Sequence, residues 1–138
     1  MAFKLIQQDA VTLREAYGER KAEYEALLAT ERWSGAILHA GTLVELAPKL
    51  VLCKHLGVSQ LPAIFQVHDL ELLFYCSGYY DRLGANNALQ QNFSFIYKNW
   101  SMTLRYEASR NTQKDAEEFD AAWFDSTSGV ITFLSQYF

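Results

Sequence analysis

The chain has 138 residues, of which 12 are Lys or Arg and 16 are Asp or Glu, so its formal net charge is −4. This length suits one domain with a core of its own, and a hydrophobic content of 50% excludes an intrinsically disordered chain. The negative net charge argues against nonspecific electrostatic binding to nucleic acid or anionic lipid. The start of the sequence has no apolar run of signal-peptide length, and no stretch holds the ~18 uncharged apolar residues of a membrane span. We therefore expect one cytoplasmic domain over residues 1–138 without membrane association.

The first predicted helix covers residues Phe3 to Thr30, because apolar side chains recur there at steps of three and four. Gly18 marks a point where this helix could break. Its polar face is rich in Glu and Lys and is most simply exposed to solvent. Thr30 is predicted to be the N-cap of the helix that follows.

The most apolar stretch runs from Trp33 to Leu56, and a helix of that length would span roughly 36 Å. Because it is apolar on nearly every face, other helices must surround it. Pro48 lies inside the stretch and removes one backbone hydrogen bond, so we expect a kink there rather than an end. Gly57 is predicted to end the helix.

A connection with Pro62 leads to a third, shorter helix. His68 or Asp69 is predicted to lie near its N-cap, and the helix should end around Gly78. The following residues, Tyr79–Gly84, are predicted to form a turn.

A fourth helix is predicted from a cap at Asn86 or Asn87 to Trp100, and a less regular segment follows it. The last helix is predicted to run from about Thr112 toward Tyr137. No strand alternation, repeat or linker interrupts this pattern. The predicted fold is therefore all-α, an up-and-down bundle of four to five antiparallel helices with a long, kinked second helix.

The histidines and cysteines do not follow known metal-site patterns. None of the three histidines has a Glu three residues before it, as di-iron bundles require. His39 and His55 are 16 residues apart, which at about 100° per residue places them about 160° apart on one helix. Cys53 and Cys76 are isolated and are interpreted as buried thiols. We predict no metal site and no cofactor.

Signatures of other activities are also missing from the sequence. There is no nucleophile elbow around a serine, and the seven glycines are scattered rather than grouped in a phosphate-binding loop. No helix is basic enough to be a DNA recognition helix, so sequence-specific DNA binding is not expected.

Four short motifs follow one another in an order and spacing that is informative as a set. They are Ala36-x-x-His39-Ala40, Glu45-x-x-x-Lys49, His68-Asp69-Leu70-x-x-Leu73 and Trp100-x-x-x-x-Arg105-Tyr106. Together they resemble the HEPN domain (higher eukaryotes and prokaryotes nucleotide-binding), over roughly residues 30–137. The resemblance implies a helical bundle that forms a homodimer and belongs to a prokaryotic toxin–antitoxin or defence-type system. It also implies a nucleotidyltransferase-type protein partner, or a nucleotide or RNA ligand.

The resemblance further implies which residues bind a ligand or mark the family. They are Glu45, Lys49, His68, Asp69, Arg105 and Tyr106. Each of them also has a purely structural interpretation. A Glu–Lys pair four residues apart stabilises a helix, a His-Asp pair can cap one, and an arginine can stack on an aromatic ring or form a salt bridge.

The catalytic branch of this family is a metal-independent ribonuclease. Its signature is an Arg followed a few residues later by a His, where the Arg stabilises phosphate charge and the His acts as acid or base. In this chain Arg105 and Arg110 lie in the expected region, but no histidine follows His68. Arg32 and His39 match the signature formally, outside its usual location.

These observations lead to three hypotheses. The first is a non-catalytic HEPN-like domain, homodimeric, that binds a protein partner or a nucleotide or RNA. The second is an active metal-independent ribonuclease that uses Arg105 or the Arg32/His39 pair. The third is a structural interaction module without a ligand. The missing downstream histidine favours the first and third over the second.

Overall fold

The computed structural model describes residues 8–85, 87–108 and 111–138, and these residues form helices without any β-strand. The prediction of an all-α fold is confirmed. The α-helices of the described residues are α1 (Ala10–Ala29), α2 (Trp33–Leu56), α3 (Leu70–Cys76), α4 (Tyr80–Ala85), α5 (Asn87–Asn99), α6 (Gln113–Phe124) and α7 (Val130–Leu134). Short 3₁₀ turns occur at Ala63–Phe65, Met102–Tyr106 and Ser135–Tyr137.

Helix α2 lies at the centre of the core, and its predicted bounds are confirmed. It contacts α1, α3, α6 and α7, and most of its apolar side chains are buried among them. Gly57 ends it with a left-handed φ of 64°, a conformation that glycine adopts without strain. By length and composition α2 could also cross a membrane, but 83% of its most apolar window is buried inside the molecule, as in the core helix of a folded domain.

The start and end of α1 differ from the prediction. Residues 3–7 lie outside the described residues, and α1 begins at Ala10 after the Asp9 cap, whose carboxylate accepts a hydrogen bond from the Thr12 amide at 2.7 Å. The helix continues through Gly18 without a break, because packing against α2 holds it together. Thr30 does not cap α2. It ends α1 instead, where its hydroxyl donates to the Ala26 carbonyl oxygen at 2.9 Å.

One prediction for the second half of the chain is wrong in detail. The predicted turn Tyr79–Gly84 is mostly the short helix α4. Of the two predicted caps of the fourth helix, Asn86 lies outside the described residues, and Asn87 is the first residue of α5. The start of α6 agrees with the prediction, because Thr112 forms a capping box.

The predicted last helix is interrupted between α6 and α7. The Asp125 carboxylate accepts hydrogen bonds from the Thr127 and Ser128 amides at 3.0 and 2.9 Å. These bonds stabilise a turn of the backbone, which takes the place of helical hydrogen bonds in this segment. Gly129 lies so close to this turn that a Cβ there would be 2.7 Å from the Trp123 carbonyl oxygen. The turn therefore replaces a helical continuation that the apolar spacing alone predicts.

Candidate functional site

Glu45 is the residue around which the other candidate side chains lie. It belongs to α2 and is 5% exposed, and Lys49 follows one turn later at 6% exposure. Burial raises the pKa of the Glu45 carboxyl and lowers the pKa of the Lys49 ammonium, because each charge loses hydration. Their mutual attraction opposes both shifts. The two residues thus form a pair of opposite charges inside the fold, rather than the exposed helical pair that their spacing alone would suggest.

His68 reaches Glu45 from the start of α3. Its Nδ1 lies 2.9 Å from Glu45 Oε2, and its side chain is 66% exposed. Asp69 is the N-cap of α3 and accepts a hydrogen bond from the Leu72 amide at 3.0 Å, so it sets the direction in which the chain enters the helix. The His-Asp pair therefore has two separate tasks, a cap at Asp69 and a contact with the buried carboxylate at His68.

The second oxygen of Glu45 is unusual. Among the described residues, Glu45 Oε1 has no hydrogen-bond partner although it is buried. A buried carboxylate oxygen without a donor is unfavourable, and such groups are found at functional sites more often than elsewhere.

Arg105 is brought to α2 by Trp100. The Trp100 indole Nε1 donates a hydrogen bond to the Ile37 carbonyl oxygen at 3.2 Å, and the ring occupies the space beside Gly41 where any larger residue would have its Cβ. The 3₁₀ turn Met102–Tyr106 follows directly and contacts α2. Arg105 in this turn is close enough to Glu45 to lower the pKa of its carboxyl.

The Arg105 guanidinium also contacts an aromatic ring. Its Cζ lies 5.2 Å from the centroid of the Tyr106 ring, and Tyr106 itself is 79% exposed. This is the geometry of a cation–π contact. We call the four residues Glu45, Lys49, His68 and Arg105 the Glu45 cluster.

The Glu45 cluster has the chemistry of a phosphate site. The Nδ1–H of His68 donates to the carboxylate, which leaves Nε2 of a largely exposed ring for a ligand. A guanidinium binds phosphate oxygens through its planar set of donors. Beside His68 lies an open cavity of about 370 Å³, large enough for a nucleotide base or sugar. The lining residues of this cavity are His68, Asp69, Leu70, Tyr97, Trp100 and Ser101.

Arg32 and His39 lie apart from this cluster. His39 Nε2 is 2.9 Å from Glu23 Oε2 on α1, and its Nδ1 is 3.0 Å from the Gly35 carbonyl oxygen. Both ring nitrogens therefore have protein partners that link α1 to α2. Arg32 is an exposed residue that precedes α2 without a side-chain capping bond. Arg110, in the segment that follows Tyr106, lies outside the described residues.

Sequence reasoning missed the residues that assemble the site. Gly41 and Trp100 decide where Arg105 lies, and the sequence offers only a weak signal for the pair, a single glycine within a long apolar helix.

In the part of the chain that the structure describes, no three His, Cys, Asp or Glu residues are grouped as metal ligands would be.

Comparison of the chain with protein-family models, curated proteins and solved structures gives no match. The candidate site therefore rests on the contacts of its own residues.

Proposed function

We propose that this chain is a non-catalytic helical domain of the HEPN type that binds a nucleotide or an RNA at the Glu45 cluster. The observation that carries the proposal is the convergence of three distant segments on one buried carboxylate. Glu45 and Lys49 come from α2, His68 from the start of α3 and Arg105 from the turn after α5. These are the positions on which the resemblance to the family depends.

The charges of the cluster favour a phosphate group as the part of the ligand that is bound. Arg105 and the outer nitrogen of His68 supply donors at the surface, while Glu45 orients the imidazole from inside. The exposed Tyr106 ring beside Arg105 offers a face on which a base can stack.

The arrangement of the long helices belongs to the same proposal. The connection of three residues between α1 and α2 makes these helices antiparallel neighbours, and α5 and α6 are in contact as well. We propose that these helices form the up-and-down bundle of the family, that α2 bends at Pro48, and that two copies form a homodimer. The family's setting, a prokaryotic toxin–antitoxin or defence-type system with a nucleotidyltransferase-type partner, is part of the proposal.

Binding can be measured with two probes, a fluorescently labelled single-stranded RNA decamer of mixed sequence and a fluorescent ATP analogue. We expect Arg105→Ala and His68→Ala each to weaken binding about tenfold, as the loss of one charge-assisted hydrogen bond predicts. Lys114→Ala is the matched control, since Lys114 is an exposed cation of α6 that pairs with Glu118. An equal loss in the control, or no binding of either probe by the unsubstituted protein, would contradict the proposal.

A second candidate function, a metal-independent ribonuclease, is favoured by one specific contact. His68 Nδ1 donates a hydrogen bond to Glu45 Oε2, and a carboxylate in this position orients the imidazole of a catalytic histidine. Arg105 lies near enough to stabilise phosphate charge. The other proposed pair, Arg32/His39, has no ring nitrogen left for a substrate, because both nitrogens of His39 have protein partners.

Cleavage of the same RNA decamer in the presence of EDTA separates the two functions. If the protein only binds, the RNA stays intact at any protein concentration. Cleavage that is lost in both His68→Gln and Arg105→Ala but kept in His39→Gln would establish the ribonuclease instead. Sedimentation over a range of concentrations tests the homodimer, and a monomer at the highest concentration would contradict that part of the proposal.

A further inference from the structure

A shallow groove on the surface formed by α3, α4 and α5 has a composition unlike the rest of the molecule. Its volume is about 490 Å³. We call it the tyrosine groove, and its lining residues are Asp69, Glu71, Leu72, Tyr75, Tyr80 and Tyr97.

The apolar side chains of the tyrosine groove are unusually exposed. Tyr75 is 65% exposed, Tyr97 is 49% exposed and Leu72 is 43% exposed. Ring contacts hold the tyrosines in place. The Tyr97 ring stacks on the buried Phe93, and the Tyr75 and Tyr80 rings pack edge to face with 5.6 Å between their centroids. Ordered, exposed aromatic side chains gathered in one place mark an interaction surface, and Tyr is enriched at such surfaces.

The charges of the groove identify the chemistry of what it binds. Asp69 and Glu71 line it, and none of its lining residues is cationic. A carboxylate attracts an ammonium or guanidinium group, and the face of a tyrosine ring attracts the same groups through its quadrupole. Glu71 lines the groove but not the cavity beside His68, and its carboxylate disfavours a phosphate-bearing ligand in the groove. The groove is therefore a neighbouring site that adjoins the cavity beside His68.

The shape of the groove favours a peptide over a small free amine. Sites for small molecules bury most of the ligand surface, whereas these tyrosines lie on an open surface and are 36% (Tyr80) to 65% (Tyr75) exposed to solvent. The groove also continues into a second cavity of about 340 Å³, with which it shares Glu71, Tyr80 and Tyr97. Asp81 and Lys98 are also among the lining residues of that cavity. A chain of several residues can follow both cavities, with its cation between the tyrosines.

We propose that the tyrosine groove docks a lysine- or arginine-bearing segment of a partner protein. The cationic side chain lies between the rings of Tyr75, Tyr80 and Tyr97 and pairs with the carboxylate of Glu71. The groove shares Asp69 and Tyr97 with the cavity beside His68. Tyr75→Ala and Glu71→Gln change residues outside that cavity, so their effects separate this proposal from nucleotide or RNA binding.

The probe for this docking is a fluorescently labelled octapeptide of alternating Arg and Gly, compared with the same peptide in which every Arg is Glu. We expect the Arg peptide to bind and the Glu peptide not to bind. Tyr97→Ala, Tyr75→Ala and Glu71→Gln should each weaken the Arg peptide about tenfold, while Tyr97→Phe keeps most of the affinity because the ring face remains. All three substituted positions are exposed, so the four variants should fold, which circular dichroism checks.

Two matched controls separate docking from general attraction to an acidic protein. Glu15→Gln removes an exposed carboxylate on α1, and Ile64→Ala removes an exposed apolar side chain that does not line the groove. Both should leave the affinity unchanged. Equal weakening by Glu15→Gln and Glu71→Gln would overturn the proposal. So would a concentration-dependent dimer that Tyr75→Ala and Tyr97→Ala convert to a monomer, since the groove would then be occupied by a second copy of this chain.

Discussion

Trp100 and Gly41 form a contact that only glycine permits at position 41. The indole lies where a Cβ on residue 41 would be, and its Nε1 donates to the Ile37 carbonyl oxygen one turn earlier in α2. Because the Met102–Tyr106 turn begins directly after this ring and its neighbour, the contact determines where Arg105 lies relative to Glu45. A packing detail of the core therefore positions a cation of the candidate site.

Gly41→Ala should lower the free energy of unfolding by about 2–3 kcal/mol, because the added methyl group overlaps the buried indole and the core has no space to absorb it. Gly18→Ala is the matched control. Gly18 lies within α1 with no neighbouring atom near an added Cβ, so the same change there should raise stability by about 0.5–1 kcal/mol. Urea denaturation of both variants measures the difference, and a Gly41→Ala protein as stable as the unsubstituted one would refute the assigned role of this contact.

Tyr24→Phe should lower the free energy of unfolding by about 2 kcal/mol. The Tyr24 hydroxyl donates to Asp120 Oδ1 and so ties α1 to α6, and a hydrogen bond to a charged group from a buried side chain contributes about this much. Burial and the neighbouring carboxylate raise the pKa of Tyr24, so the hydroxyl stays a donor at neutral pH. In the control, Tyr75→Phe, an exposed ring loses its hydroxyl and the unfolding midpoint should not move. Equal effects of the two variants in thermal unfolding would argue against the α1–α6 tie.

The Glu45 carboxyl should titrate above the ordinary value of 4.5, and this can be measured from its carboxyl carbon by NMR. Burial is the largest cause of the raised pKa, and the hydrogen bond from His68 and the positive charge of Arg105 act in the opposite direction. His68→Ala and Arg105→Ala should therefore raise the pKa of Glu45 further, whereas Lys114→Ala should not move it. A pKa that stays the same in His68→Ala would show that the two side chains do not interact in solution.

The same shift has a consequence for stability. Because the pKa of Glu45 is higher in the folded than in the unfolded chain, the folded state binds the proton more readily. The stabilisation from this difference is present in full at pH values below the pKa of Glu45 in the unfolded chain. It is lost as the pH rises through the pKa of Glu45 in the folded chain. Replacing Glu45 by Gln removes this dependence, so the stability of Glu45→Gln should change less between pH 4.5 and 7 than that of the unsubstituted protein.

Asp125 should contribute to stability with the opposite pH dependence. Hydrogen bonds from the Thr127 hydroxyl, and then from Ser128 and the Thr127 amide, lower its pKa from 3.8 to about 2. The ionised carboxylate therefore stabilises the turn between α6 and α7 above pH 3.8, and this stabilisation is lost as the pH falls to about 2. Asp125→Asn should be less stable than the unsubstituted protein at neutral pH, with a difference that shrinks over that range. Thermal unfolding at several pH values tests this, with Glu15→Gln as the control, and a difference that does not vary with pH would exclude this role for the carboxylate.

The sequence by itself determined the helical fold class and the whole extent of α2. Three local signals sufficed, and none of them depends on a distant contact. They are the helical spacing of apolar residues, a run of apolar residues long enough for six turns and a glycine at the end of that run. The caps at Asp69 and Thr112 were predictable for the same reason, because a side-chain oxygen and an amide three residues later suffice to form them.

Only the tertiary structure decided the end of the last helix and the environment of the candidate site. The helical spacing of apolar residues continues from α6 into α7, but the chain forms a turn at Asp125 instead of a continuous helix. The Asp125 carboxylate accepts hydrogen bonds from the backbone of this turn, and Gly129 allows the chain to pack closely against it. Likewise, the spacing of Glu45 and Lys49 fits an exposed pair as well as a buried one. Whether they are buried depends on what packs over α2, and His68 and Arg105 reach Glu45 through contacts between residues far apart in the chain. Such contacts follow from the way the helices pack together, which no local pattern encodes.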